Sequence, residues 1–447
     1  MATSWDRAYT RRQAIGVGAA GLGAFYLASC GGESGAGGGR DVAAVFDFEY
    51  GGPPGSMKRY WEELRKRLAA SDVDARLSDI TLVNYANMQA RLQSAHAARQ
   101  GPTIETWYPE WFTWEFISQD ALTPAQDHVS AGSSDDWLWV NEIEGKLWGA
   151  PYYAEQALLV ANREHLAKAG VEIGERVESW EVFVDACARI KRTGEIPAMV
   201  GAADGIANDQ WAQASSMEFM DSVKQLGRNM LDELPTDEPV VSAWMDHFYE
   251  LSKSGYLNSD VGELTAQQAI DRFLDGEGAF AMMNPGTIFD KDPKQFRIVG
   301  YWGGDARYSA PIAVSANCAL ITSYGANQAA AGRVIDFMQA PEQLKLFNSI
   351  TGELPCNRRF DPGDLGDLAR QSWDLLIDPG PGKVATWPRN YIPTTGVNVV
   401  FDLGPRAFGG EQPAALRAEY DRRMAKWRDQ NSAEAEEFAK YLDSFEG

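Results

Sequence analysis

Cysteine and histidine are scarce in this chain, four of each among 447 residues. Cys30, Cys187, Cys318 and Cys356 form no C-x-x-C pair, and no histidine stands near one at zinc-ligand spacing. His96, His128, His165 and His247 are scattered, with neither a zinc-protease helix nor an evident nucleophile–base arrangement, so each reads as structural. Neither a cofactor nor a metal ion is expected. Basic residues are also in deficit, 41 against 63 acidic ones, for a net charge of −22. A body this acidic repels polyanions, which excludes nucleic acid as a partner and broad adsorption to anionic membranes, without identifying a cationic ligand. A permanent membrane helix is not expected either. The uncharged run Ala14 to Ala28 has fifteen residues, mostly Gly or Ala, short of the roughly 20 apolar residues that a bilayer core requires.

What the first forty residues do contain is an address. Arg11-Arg12 precede that run, which closes in Leu27-Ala28-Ser29-Cys30. Paired arginines before a weakly hydrophobic segment resemble a twin-arginine export signal, and Leu-Ala-Ser-Cys resembles the lipobox of bacterial lipoproteins, in which the cysteine is lipidated and becomes the first residue. Residues 1–29 are therefore expected to be a cleaved leader. Residues 30–40, glycine-rich and without an apolar side chain larger than alanine, are expected to be a flexible spacer. Gly16-Val17-Gly18-Ala19-Ala20-Gly21 spells G-x-G-x-x-G, but a charged leader precedes it rather than a strand, so a dinucleotide site is not expected.

The body from residue 41 is long enough for two domains at about 100 to 200 residues each. Val42–Phe48, Ile80–Val83 and Thr103–Trp107 read as strands, with helices over Met57–Leu68 and Ala86–Ala98 between them. Tyr60, Trp61, Leu64 and Leu68 hold a helical spacing. Alternation of this kind predicts an α/β fold with a parallel sheet and ligands at the carboxyl ends of its strands. Further along, Ala157–Ala161 reads as a strand and Ser179 as a cap on a helix carrying Phe183, Ala186, Cys187 and Ile190, which leaves Cys187 a buried free thiol. Helices are expected over Trp211–Leu231, Val240–Ser254 and Ala266–Leu274 and a strand over Ala279–Met283, while Asp361–Gly404 reads as loop-rich and Pro413–Phe445 as terminal helices. A Cys318–Cys356 disulfide after export stays open.

Four stretches then resemble a known family in order. Tyr152 to Asn162, with Ala169-Gly170-Val171 and Ser179 to Phe183, looks like the entry of bacterial solute-binding proteins into their second lobe. Phe273 to Asn284 looks like the return to the first lobe, and Ala340-Pro341-Glu342-Gln343 with Thr351 to Pro355 resembles a later landmark. The chain thus resembles the extracellular solute-binding proteins of ABC importers, typified by maltose-binding protein. The resemblance implies a two-lobed periplasmic-binding-protein fold (type II-like), each lobe a mostly parallel sheet flanked by helices, joined by crossover strands, with ligand trapped by hinge closure. Carried over, residues 41–153 plus 275–311 would form the N-terminal lobe and 154–274 plus 312–447 the C-terminal lobe. It also implies a non-enzymatic monomer that serves the transmembrane subunits of a permease and is anchored by lipid at the outer face of the cytoplasmic membrane.

Ligand candidates centre on the aromatic run Trp107-Tyr108-Pro109-Glu110-Trp111, at the end of a predicted strand. Sugars combine an apolar C–H face with a rim of hydroxyls, which suits flat rings beside acids and amides. In the resemblance, Trp107 and Glu110 fall on an aromatic wall and a hydroxyl-binding acid, and Glu155 on an acid just inside the second lobe. Trp111 departs, standing where maltose-binding protein carries an arginine. Trp148 and Tyr152 are candidates near the crossover, Trp302 and Asp305 in a glycine-rich loop, and Trp211, Trp387 and Asn284 further candidates. Core packing is the competing reading for every ring. The leading function is capture of a sugar or oligosaccharide. The alternatives are a same-fold receptor for a cationic or zwitterionic solute such as a polyamine or choline compound, and a secreted glycoside hydrolase with Glu110 and Glu155 as its acid pair.

Overall fold

The computed structural model describes residues 41–49 and 53–444. The Arg11-Arg12 pair, the Leu27-to-Cys30 motif and the spacer lie outside the described residues. From the start, β1 (Asp41–Glu49), β2 (Ala75–Asn84) and β3 (Ile104–Trp107) alternate with α1 (Ser56–Ala70) and α2 (Tyr85–Ala98). In α1 the helical spacing has its consequence: Met57, Tyr60, Trp61, Leu64 and Leu68 are all buried, each stabilising the fold by roughly 1.5–3 kcal/mol relative to exposure. A short α3 (Trp111–Ile117) follows β3, then β4 (Leu122–Thr123) and β5 (Asn141–Ile143).

The organising element is β6 (Lys146–Asn162), seventeen residues long. Its first half pairs antiparallel with β9 (Ala313–Thr322), from Gly149 opposite Leu320 to Ala157 opposite Ala313. Its second half pairs instead with β7 (Phe280–Met283) and β8 (Phe296–Val299), while β10 (Leu354–Pro355) joins at Tyr153 and Ala154. The order runs β10-β6-β9-β3-β1-β2. Pairing is parallel between β1 and its neighbours β2 and β3 and antiparallel in the other ladders, so the sheet is mixed rather than mostly parallel. The long strand β9 returns against both β3 and β6, which forces the antiparallel sense.

These pairings move one expected boundary. Residues 280–299 sit on the second half of β6, and the return to the first group of strands comes only with β9. The helices after β9, α11 (Gln328–Met338) and α12 (Pro341–Thr351), then pack on β1, β2 and α1. There Ala319, Ile321, Val334 and Phe347 share a core with Val45, Trp61 and Ile104. The segments 275–311 and 312–351 are therefore exchanged relative to the sequence expectation.

Between β6 and β7 lie α4 (Arg163–Ala169), α5 (Trp180–Arg192), α6 (Ile206–Met217), α7 (Lys224–Met230), α8 (Pro239–Lys253) and α9 (Ala266–Leu274); α10 (Pro285–Ile288) follows β7. Ser179 caps α5 as expected, its side chain accepting from the Val182 N–H. The single helix expected over Trp211–Leu231 is two, α6 and α7. The region read as loop-rich contains α13 (Asp367–Ile377) and α14 (Thr394–Phe408), ahead of α15 (Pro413–Gln430) and α16 (Ser432–Ser444). Gly396, Val397, Val399, Val400 and Pro405 give α14 low intrinsic helix propensity; its packing on α6 and α8 supplies what propensity does not.

Cys187, Cys318 and Cys356 are free and buried. Cys318 lies on β9 and Cys356 just beyond β10, on opposite flanks of β6. Two interstrand spacings, about 9.5 Å in all, exceed the reach of a disulfide, so that pairing does not form. Among the described residues, no helix is long and apolar enough to cross a membrane.

Candidate functional site

The end of β3 delivers Trp107, Tyr108 and Glu110 to one place. Glu110 caps the start of α3 with φ 64° and ψ −127°, a conformation that suits glycine and costs a larger residue about 1–3 kcal/mol. Neighbours hold it there. The Glu110 N–H donates to Asn141 Oδ1 at 3.4 Å, Asn141 Nδ2 donates to Thr113 Oγ1 at 2.8 Å, and the Thr113 hydroxyl donates to the Tyr108 carbonyl at 2.9 Å. The Glu110 carbonyl in turn accepts from the N–H groups of Thr113 and Trp114. These contacts hold the backbone of Glu110 in that conformation at the strand end.

The Glu110 carboxyl lines a cavity of about 130 Å³. Around it stand Trp139, Tyr308 and Tyr391, with Asn141, Ser315, Thr386 and Asn390 as polar walls and Cys318 at its base. Glu110 is the one acid among the lining residues described, and no lysine, arginine or histidine accompanies it. Removal from water pushes its carboxyl up from 4.5 to about 7, against the lowering effect of a hydrogen bond with Tyr391. The thiol of Cys318 is pushed up as well, by burial first and the Glu110 charge second, which leaves it unreactive.

Beside the cavity, the segment Trp387 to Tyr391 carries a buried cation. The Arg389 guanidinium lies 4.8 Å from the ring centres of both Tyr108 and Trp387. Its Nη1 is 2.6 Å from Asp209 Oδ2, and its Nη2 is 3.6 Å from Glu155 Oε1. Gln213 and the Trp387 indole also donate to Asp209, at 2.6 and 3.2 Å, and Asn317 donates to Glu155 at 3.1 Å. Two carboxylates thus face one guanidinium. Burial raises the Asp209 carboxyl, with Arg389 opposing it.

The sequence candidates separate accordingly. Glu110 reaches the cavity, while Trp107 and Tyr108 pack behind it against Phe48 and Phe112. Glu155 and Trp387 belong to the Arg389 cluster. Trp111 does not reach the cavity; it is buried against Phe438 and Tyr441 of α16, with ring centres 5.0 and 5.3 Å away. Tyr152 lies in the core with Tyr60, Trp61 and Phe347. Trp148 donates to the Ile143 carbonyl at 3.1 Å. Trp211 and Trp302 pack with Phe183 in a separate aromatic cluster, Asn284 accepts from Gln210 at 3.0 Å, and Asp305 is exposed. Sequence reasoning missed Trp139, Asn141, Tyr308, Ser315, Thr386, Asn390 and Tyr391 in the wall, and Asp209 with Arg389 beside it. The dense polar-aromatic run Trp387-Pro388-Arg389-Asn390-Tyr391 was the available signal.

Residues 72–366 match the sequence profile of a family described as bacterial extracellular solute-binding protein. No curated protein sequence matches the chain. Among solved structures, a chitin oligosaccharide binding protein is similar at TM-score 0.73 and 16% identity, over 87% of this chain and 98% of its own. A protein of xylan utilization from the thermophilic bacterium Caldanaerobius polysaccharolyticus gives 0.70 and 15%, over 86% and 98%. The GacH receptor of Streptomyces glaucescens, studied unliganded and with acarbose, gives 0.65 and 15%, over 91% and 100%. Likeness at this identity shows a shared two-lobed α/β fold.

Proposed function

The chain belongs to the bacterial extracellular solute-binding proteins, and on that premise we propose that it is the solute receptor of an ABC importer, taking a sugar in the cavity beside Glu110. The observation that carries this reading is the composition of that cavity: three aromatic rings with an acid, two hydroxyls and two amides. Rings suit the C–H face of a pyranose, and the polar groups suit its hydroxyls. The names of the structural neighbours, which concern chitin oligosaccharide, xylan and acarbose, point to the same class. At about 130 Å³ the space falls well below the roughly 300–1,000 Å³ of drug-sized sites, which favours one sugar ring over a chain in this conformation.

The wall draws Glu110 and Asn141 from the first strand group and Tyr308 with Val384, Ala385, Thr386, Asn390 and Tyr391 from outside it, together with Val314 to Ala316 and Cys318 of β9. Opening by a hinge at β6 and β9 would admit the solute, and closure would trap it. A receptor is favoured over a hydrolase because Glu155 is engaged by Asn317 and Arg389, leaving Glu110 without a second acid in the wall. The Leu27-to-Cys30 motif supports a lipid anchor at the outer face of the cytoplasmic membrane, where permease subunits would receive the solute.

A thermal-shift screen of the purified protein against monosaccharides, oligosaccharides, amines and phosphodiesters tests the reading, because a ligand of the native state at about 100 times its Kd adds about 2.7 kcal/mol. A rise in melting temperature with a sugar is expected; a rise with phosphodiesters alone would overturn it.

A further inference from the structure

The walls of the cavity also bear on the charge of its ligand. We propose that the solute carries a basic nitrogen, so that this is a receptor for amino sugars or comparable amine-bearing polyhydroxy compounds, with Glu110 as the residue that selects them. The inference deepens the sugar reading and rests on it.

Its first ground is the charge of the wall, one carboxyl and no cationic side chain among the lining residues described. The buried cation of the adjoining segment is already committed, since Arg389 meets Asp209 at 2.6 Å and Glu155 at 3.6 Å. A carboxylate taken out of water without a cationic partner is costly, and the raised Glu110 carboxyl, only partly offset by its hydrogen bond with Tyr391, expresses that cost. An ammonium group on the ligand would supply the missing charge. A neutral hydroxyl would supply only a hydrogen bond.

The second ground is hydrogen-bond polarity. Asn390 donates through Nδ2 to Ser315 Oγ at 2.8 Å, and in this orientation its Oδ1 is buried with no donor. The Asn390 oxygen therefore awaits a donor, and the Glu110 carboxyl, with its hydrogen bond to Tyr391, has acceptor capacity left over. A sugar hydroxyl both donates and accepts, whereas an ammonium only donates. Aromatic rings at Trp139, Tyr308 and Tyr391 add surfaces that attract a cation. The same walls disfavour uronic acids and sugar phosphates, whose charge would meet Glu110 with no compensating cation.

Titration calorimetry of the purified full-length protein at pH 7 tests this with D-glucosamine, D-galactosamine and D-mannosamine, each against its N-acetyl derivative and parent hexose, plus D-glucuronate, putrescine and choline. An amino sugar should bind at least about tenfold more tightly than its N-acetyl derivative, the scale of a hydrogen bond to a charged group, and D-glucuronate should not bind. Glu110→Gln should abolish that preference without lowering the ligand-free melting temperature, and Glu110→Asp should keep the preference at lower affinity. Equal binding of a hexose or N-acetyl sugar and its amino counterpart overturns the inference and leaves the sugar receptor standing. Binding of putrescine or choline alone, lost in Glu110→Gln, supports selection for positive charge while overturning the sugar reading. Absence of binding by every compound overturns both.

Discussion

Replacing Glu110 by glutamine should change stability in a way that depends on pH. In the folded protein, burial pushes the Glu110 carboxyl up to about 7 from 4.5. The native state thus holds a proton between those values that the unfolded chain has released. Its contribution to stability is fully present below about pH 4.5, declines as pH rises through 7, and is gone above it. At about 1.4 kcal/mol per pH unit, the 2.5 units between 4.5 and about 7 give a full swing of about 3.5 kcal/mol. Because the carboxyl faces a cavity rather than solid protein, an observed swing of about 1–3 kcal/mol is expected. Glutamine keeps the shape and the strained φ of 64° but cannot ionise, so the variant should match the parent at pH 5 and exceed its stability at pH 8. Other groups cancel in the difference between the two proteins. Glu218, also near 7 because of burial, is common to both, and the Tyr391, Tyr441 and Cys318 groups that feel Glu110 are all raised and stay protonated across this window. Denaturant melts of both proteins from pH 5 to 8 measure the gap. A gap that is constant with pH, or a variant less stable at pH 8, would refute the buried-acid account.

Three further outcomes follow from the same geometry. Arg389→Ala leaves Asp209 and Glu155 buried without their guanidinium and should cost about 3–5 kcal/mol in denaturant melts, a loss that lysine, lacking the planar fork, should not fully restore. Tyr152→Ala should cost about 3–5 kcal/mol of stability, while calorimetry of the folded variant finds ligand affinity unchanged, since that ring belongs to the core with Tyr60 and Phe347. Cys30→Ser should release the protein from membrane fractions without lowering the melting temperature of the body; retention of the variant with its leader uncut would count against the lipid anchor.

The first three strands, α1 and the capped helix α5 were legible because apolar spacing and Ser179 report local physics. The α/β class followed from them. The exchange of 275–311 with 312–351 was not legible. Phe280–Met283 and Ala313–Thr322 are both apolar runs, and only their pairing along β6 tells which half each joins. Tyr152 shows a finer limit. The register of β6 slips between Pro151 and Tyr153, so Tyr152 and Tyr153 both approach Phe347 instead of facing opposite sides of the sheet, and no periodicity marks such a bulge. At the site, Glu110 could be named because it follows a strand end. Arg389, Asn390 and Tyr391 come from a segment without periodicity that reaches the cavity only through tertiary folding, and Glu155 looked available because its partner Arg389 lies more than two hundred residues away.

The most direct test of the account is a crystal structure of the protein with the tightest-binding sugar from the thermal-shift screen. One sugar ring should lie in the cavity, within hydrogen-bond distance of the Glu110 carboxyl and Asn390 and against the rings of Trp139, Tyr308 or Tyr391. A sugar seated elsewhere, with Glu110 still facing an empty cavity at saturating ligand, would contradict it.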